Sequence, residues 1–187
     1  MKLMTKARDL VAALIHRRSA LQAGARIRGH YRVACRRADG SVRWVEEMSN
    51  LVVNQGLDHM LETELSAGSQ VTSWYVGLYG SSPIPQSTWT AASHGSEFTS
   101  YDEATRQSFL DSGVSGQSLN NSSSKAAFTI SANGQTIGGA FLISDSMKSG
   151  SSGYLFSAAA FSGGNKSADD DDVIEVTLTF TLADDGV

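Results

Sequence analysis

From Val173 to Leu182 the chain reads VIEVTLTFTL, in which Ile174, Val176, Leu178, Phe180 and Leu182 alternate with Glu175, Thr177, Thr179 and Thr181. A period of two sends successive side chains to opposite faces of a sheet, so this segment can bury its apolar residues only as a strand with one wet face. One-sided burial is characteristic of antiparallel sheets. Neighbouring segments agree. AAFTIS puts Phe128 and Ile130 on one side, and GYLFSAAAFSG is apolar enough for a buried strand. QTIGGAFLIS predicts a strand in which Gly138 and Gly139 mark a bulge or a close approach of two backbones.

The first half adds a hairpin and a short helix. HYRVACRRADGSVRWVEEM carries Asp39-Gly40 at its middle, a two-residue turn signal. In that register Cys35 faces Trp44 and Tyr31 faces Met48. Val33 and Val42 share their face, and Arg32, Arg36, Arg43 and Glu47 make a basic, wet opposite face. SNLVVNQGLDHML follows. Here Asn50 is expected to form a turn at the end of a strand, Asn54 to cap a helix, and Gly56 to leave room in its first turn. Leu57, Met60, Leu61 and Leu65 fit one helical face and, with Leu51 to Val53, are expected to pin hairpin and helix to the core. SWYVGLYG reads as a central strand. Within the polar stretch that follows, SEFTSYDEATRQSFL fits either a helical turn or an irregular strand, and GVSGQSLNNSSSK a long loop or exposed edge.

Residues 3–22 form an amphipathic pattern, with Leu3, Ala7, Leu10, Val11, Leu14, Ile15 and Leu21 at helical spacing and basic residues between them. The predicted architecture is mainly β: an antiparallel, jelly-roll-like β-sandwich with an N-terminal amphipathic helix and one short internal helix. Residues 1–28 are the basic helical arm and 29–187 the sandwich. The latter holds the hairpin at 29–49, the helix at 55–66 and a loop-rich segment at 81–125.

The net charge of −4 conceals a polarised chain: residues 1–50 carry 11 Lys and Arg against 4 Asp and Glu, and residues 51–187 carry 4 against 15. A basic arm on an acidic body suggests an oriented contact with an acidic surface, a nucleic acid or a neighbouring copy. The expected contact residues are Leu3, Leu10, Leu14, Arg17 and Arg18 in the arm, and Arg32, Arg36 and Arg43 in the hairpin. The run Asp169, Asp170, Asp171 and Asp172 is the acidic counterpart. Left in solvent it is a loop, and a contiguous run is poorly suited to the spaced oxygen ligands of calcium.

No phosphate-binding loop, paired-glycine dinucleotide fingerprint or His-Glu-x-x-His occurs. His16, His30, His59 and His94 lack ligand spacing and are expected at surfaces or caps. Ser93, His94 and Asp102 can be imagined as a triad but lack the Gly-x-Ser-x-Gly elbow. Trp74, Trp89 and Tyr101 could stack on sugars. Cys35, the single cysteine, is expected to be a buried free thiol. LVAALI is too short to cross a bilayer and runs into His16, Arg17 and Arg18 rather than a cleavage site, so no secretory signal is expected. Neither an enzyme nor a cofactor is expected.

In order along the chain, DGSVRWVEEMSNLVVNQGLDHML, WYVGLYG, SYDEATRQ, FTISANGQTIGGAFLIS and LFSAAAFSGG resemble a family of small virion structural proteins of tailed bacteriophages. The resemblance covers roughly residues 30 to 180, and the aspartate run departs from it where a shorter Gly-Asp turn is expected. It implies a virion protein made in the bacterial cytoplasm and present in several copies or as a homo-oligomer. The implied role is capsid cement or decoration binding the major capsid protein. The alternatives are a neck, tail or head-fibre component, or a glycan-binding attachment module. No catalytic residue, membrane partner or direct DNA contact is implied.

Overall fold

The computed structural model describes residues 24–184. The helix expected over residues 3–22 lies outside them, and with it Leu3, Leu10, Leu14, Arg17 and Arg18. Contacts divide the chain into Arg28–Thr181 and a smaller unit of Met1–Ile27 with Leu182–Val187. Only residues 24–27 and 182–184 of the smaller unit are described, as one end each of a first and a last strand. The rest of the description concerns the larger unit.

In chain order the elements are β1 (Ala25–Arg36), β2 (Val42–Ser49), β3 (Leu51–Val52), helix α1 (Asn54–Leu65), β4 (Tyr75–Tyr79), β5 (Glu97–Phe98) and β6 (Gln107–Ser108). There follow β7 (Ser118–Asn120), β8 (Ala126–Thr129), β9 (Gln135–Ile137), β10 (Gly139–Ile143), β11 (Leu155–Ala160), β12 (Lys166–Ala168) and β13 (Val173–Asp184). The fold is an antiparallel β-sandwich. One sheet runs β2-β1-β13-β7, with β8 also on β13, and the other runs β3-β11-β10-β4-β5, with β6 also on β4. A small third sheet pairs β9 with β12.

Alternation does in β13 what the sequence requires. Ile174, Val176, Leu178 and Phe180 are buried and the residues between them are half-buried, while Leu182 is 46% exposed and lies beyond the alternation's buried part. Across the core, Phe156 of β11 meets Phe180 edge-on at 5.0 Å. The fully buried Tyr31 of β1 shares a 2.9 Å hydrogen bond with Ser157 of β11, so its hydroxyl is satisfied where burial would otherwise penalise it. Strand β13 pairs with β8 at Val173–Val176 and with β7 at Thr179–Thr181. Between these ladders the buried Asn121 uses its side chain as a substitute strand, donating to the Val176 carbonyl (3.1 Å) and accepting from the Leu178 amide (2.7 Å). The stretch expected to be a loop or exposed edge thus contributes a buried amide.

The hairpin has the expected pairs Tyr31 with Met48 and Cys35 with Trp44, but its end differs. Gly40 alone takes a positive φ (83°). The Gly40 amide donates to Arg37, the Arg37 amide to Ser41, and the Ser41 amide to the Asp39 side chain. This is a three-residue loop rather than a two-residue turn. The consequence is a bulge: Arg36 pairs with Val42, so Val42 turns out to 49% exposure instead of sharing the face of Val33.

Asn50 stands where the chain leaves one sheet for the other. Its amide donates to the Gly29 carbonyl (3.0 Å), and the next two residues already pair with Ser157 and Ala158 of β11. Its side chain occupies the space that a Cβ on Gly29 would need. It is therefore a sheet-to-sheet corner and not only a turn former. Asn54 is not the helix cap. Val53 holds that position without a side-chain hydrogen bond, and Asn54 opens the helix with its own amide donating to the Ser87 carbonyl (2.8 Å). Gln55 provides the local order instead, its side-chain oxygen accepting from the amides of Ala91 (2.9 Å) and Leu155 (2.8 Å).

The helix packs by Gly56 and His59, its two buried residues. A Cβ at Gly56 would lie 2.6 Å from the Phe156 carbonyl oxygen, so the glycine permits backbone-to-backbone approach to β11. His59 stacks on Tyr154 at 4.2 Å and meets Trp74 edge-on at 5.8 Å. This choice of face turns Leu57, Leu61 and Leu65 outward, against the expectation that they pin the helix. Gly56→Ala gains about 1 kcal/mol of helix propensity yet forces a methyl group against fixed backbone. A net loss of roughly 1–2 kcal/mol is expected, measurable as a lower urea midpoint with an unchanged m-value.

Candidate functional site

The bulge in β2 brings Arg43 to the side where Cys35 lies. Its Nη1 donates to Asp169 Oδ2 (2.6 Å) and to Asp172 Oδ2 (2.7 Å). The aspartate run is accordingly a turn rather than a solvated loop. Asp171 adopts φ +62°, the Asp172 amide donates to the Asp169 carbonyl, and the Asp169 amide returns to Asp172 Oδ2. The Gly134 amide and Arg43 together hold the Asp169 carboxyl below the usual carboxylate range. Asp172 is buried, whereas Asp170 and Asp171 remain exposed. Arg43, Asp169 and Asp172 are therefore joined within one chain and are not a free basic face and its acidic counterpart.

Arg36 is likewise engaged, its Nε 3.1 Å from Glu175, which Lys125 also meets at 3.0 Å. Arg32 reaches Glu47 at 3.4 Å in solvent, a contact of little energetic weight. Among the described residues no group of three or more His, Cys, Asp or Glu converges as a metal site would require. The fully buried Cys35 lies 3.6 Å from Asp172 Oδ2. Burial, with Asp172 next to it, pushes its thiol up to about 12.

A second cluster has no counterpart in the sequence expectations. Arg106 is 1% exposed and meets Glu97 in a two-point contact, Nε to Oε1 and Nη2 to Oε2, both 2.8 Å. Its remaining donors take the carbonyls of Asp145 (2.8 Å) and Gly150 (2.9 Å), and the Ser149 amide completes Glu97 at 2.7 Å. The guanidinium also lies over the Phe141 ring at 5.4 Å. A planar fork with five donors suits such a site where a lysine would not. One signal was available: Arg106 is the only Lys or Arg between Arg43 and Lys125. The rest of SYDEATRQ is equally structural. Tyr101 is buried, and Glu103 accepts the Thr129 amide at 3.1 Å.

His94 packs against Tyr79 and Phe141, 5.7 and 4.8 Å between ring centres. Burial, then the nearby Arg106 charge, lowers its pKa, so the ring is neutral at pH 7. Its buried Nδ1 has no protein partner among the described residues, which leaves Ser93, His94 and Asp102 without the hydrogen bonds of a triad. His59 is therefore buried among aromatic rings at the base of a cleft, and His94 is half-buried beside Tyr79 and Phe141; neither caps the described helix.

An aromatic cleft of about 460 Å³ lies between α1 and residues 88–90. Asn54, Asp58, His59, Glu62, Trp89 and Tyr154 line it, so Asn54 faces a cleft and not a cap. Of the tryptophan and tyrosine residues expected to meet sugars, Trp89 is here, Tyr101 is in the core, and Trp74 borders a separate depression with Phe109 and Leu119. Comparison with protein-family models, curated proteins and solved structures finds no match to the chain.

Two outcomes follow from the buried clusters. Arg106→Met leaves the Glu97 carboxylate buried and uncompensated, which costs about 3–5 kcal/mol, whereas Arg106→Met with Glu97→Leu recovers most of the loss. Chemical denaturation of the two single variants and the double variant measures this coupling. For Cys35, a thiol-specific reagent at mildly alkaline pH should leave the native protein unmodified and label one thiol per chain once denaturant is added.

Proposed function

We propose that this chain is a structural protein of a bacteriophage virion, a capsid cement or decoration protein that binds the major capsid protein. The observation that carries the proposal is β2. It is an edge of its sheet and eight residues long, and among the described strands it pairs with β1 alone. Val42 and Val45 add exposed apolar side chains to that edge, at 49% and 38%. An edge of this kind can pair with another chain over its regular stretch, Trp44–Ser49, beyond the bulge at Arg43. The resemblance of SYDEATRQ, FTISANGQTIGGAFLIS and their companions to virion proteins supports the same reading. So does the way the converging ionisable groups tie loops together inside the sandwich: a protein that braces a particle must itself be stiff.

Counting copies in purified particles tests the proposal. A cement protein follows the capsid lattice and should be present in on the order of hundreds of copies. A count of about 6 or 12 would move it to a ring at the neck or tail, and absence from particles would end the virion reading. The glycan-binding alternative draws on Trp89 and Tyr154 in the cleft beside α1, and a glycan array without binding would dismiss it.

A further inference from the structure

Leu57, Leu61 and Leu65 recur every fourth residue along α1 and are 38%, 58% and 80% exposed, so they form one outward row. Next to that row Asp58 and Glu62, also four apart, reach the cleft with Trp89 and Tyr154. The helix holds Asp58, Glu62 and Glu64 and no Lys or Arg, and no described Lys or Arg lines the cleft. The side chains of Asp58 and Glu62 have no hydrogen bond or ion pair among the described residues. The face therefore combines three features: an apolar row, a flank of negative charge without a partner among the described residues, and aromatic surfaces able to receive a cation.

We infer that this face takes the basic N-terminal segment, residues 2–21, of a second copy of the chain. Each feature selects against a simpler occupant. A saccharide would fill the cleft and leave the leucine row bare. A purely apolar surface would cover the row and strand two carboxylates. The same helix from a second copy would match the leucines but set acid against acid. Residues 2–21 carry Leu3, Leu10 and Leu14 at helical spacing together with Lys2, Lys6, Arg8, Arg17 and Arg18. Such a segment lays leucine against leucine and directs guanidinium or ammonium groups toward Asp58, Glu62 and the rings, the recognition mode of a basic amphipathic segment on an acidic apolar face. The inference concerns self-association, and the virion proposal could fail without it.

Two full-length single-substitution variants test it, Leu10→Cys and Leu61→Cys, since both keep Cys35 buried. Mixed and oxidised, they should give a disulfide-linked heterodimer joining position 10 of one chain to position 61 of the other. Adding Asp58→Lys and Glu62→Lys to the Leu61→Cys chain should slow that product about tenfold, as should raised salt. In sedimentation the wild type should associate as its concentration rises, and the double lysine variant should stay monomeric. A monomeric wild type, no heterodimer, or a heterodimer indifferent to the lysine substitutions would overturn the inference. A monomeric wild type whose tryptophan fluorescence responds to added saccharide would overturn it in favour of a sugar site.

Discussion

A buried carboxylate, Asp172, fixes the geometry on which much of the sandwich depends. It is 3% exposed and receives Arg43 from β2, the Asp169 amide from its own turn, and the Cys35 thiol from β1. Its backbone carbonyl accepts the Ile130 amide just beyond β8. A carboxyl group at this depth is tolerated only with polar partners close by, so the requirement propagates outward. Arg43 has to face inward, which requires the bulge in β2. The bulge accompanies a three-residue hairpin loop, and the aspartate turn needs a positive φ at Asp171. The register of β13, the strand shared by β1, β7 and β8, is set at its first residues by this arrangement. The second ionic cluster does similar work at a distance, since Arg106 and Glu97 join the segment before β6 to the loop between β10 and β11.

Between these anchors the chain changes sheet within a few residues, and steric allowance rather than attraction makes that possible. Asn50 fills the space left open at Gly29, and Gly56 lets α1 rest on the backbone of β11. Gly138 does the same between β9 and β10, where a side chain would collide with the backbone of Ser81 and Ser82. These positions add little favourable energy of their own. They decide which face of the helix is buried, and so which leucines are left outside.

The β architecture was legible because its signals are local: alternation in β13, largely apolar runs in β10 and β11, and a turn signal that fixes the pairs Tyr31–Met48 and Cys35–Trp44. What escaped was set by partners distant in sequence. The same residues Asp39 and Gly40 allow a two- or a three-residue loop, and Arg43's approach to the aspartates, 126 and 129 residues away, accompanies the longer one. Helical periodicity finds an apolar face on α1 but cannot weigh it against a glycine that must meet a carbonyl. For Arg106, isolation among acidic and polar residues was a usable sign, since a lone cation in such a stretch has carboxylates and carbonyls nearby to bury it.

The polarity of the chain takes a different meaning once the described charges are placed. In the hairpin, Arg36 and Arg43 are matched by Glu175, Asp169 and Asp172 of the same chain, which removes them as a surface signal. The acidic excess that remains accessible includes Asp58, Glu62 and Glu64 on α1 and Asp170 and Asp171 at the aspartate turn. Charge that is satisfied internally helps to specify the fold, whereas Asp58 and Glu62 have no partner among the described residues. Among the described residues the edge of β2 and the outer face of α1 are both uncovered, and they would suit different complements. One is a strand, recognised by backbone hydrogen bonds of any sequence; the other is a basic apolar segment, recognised by its side chains.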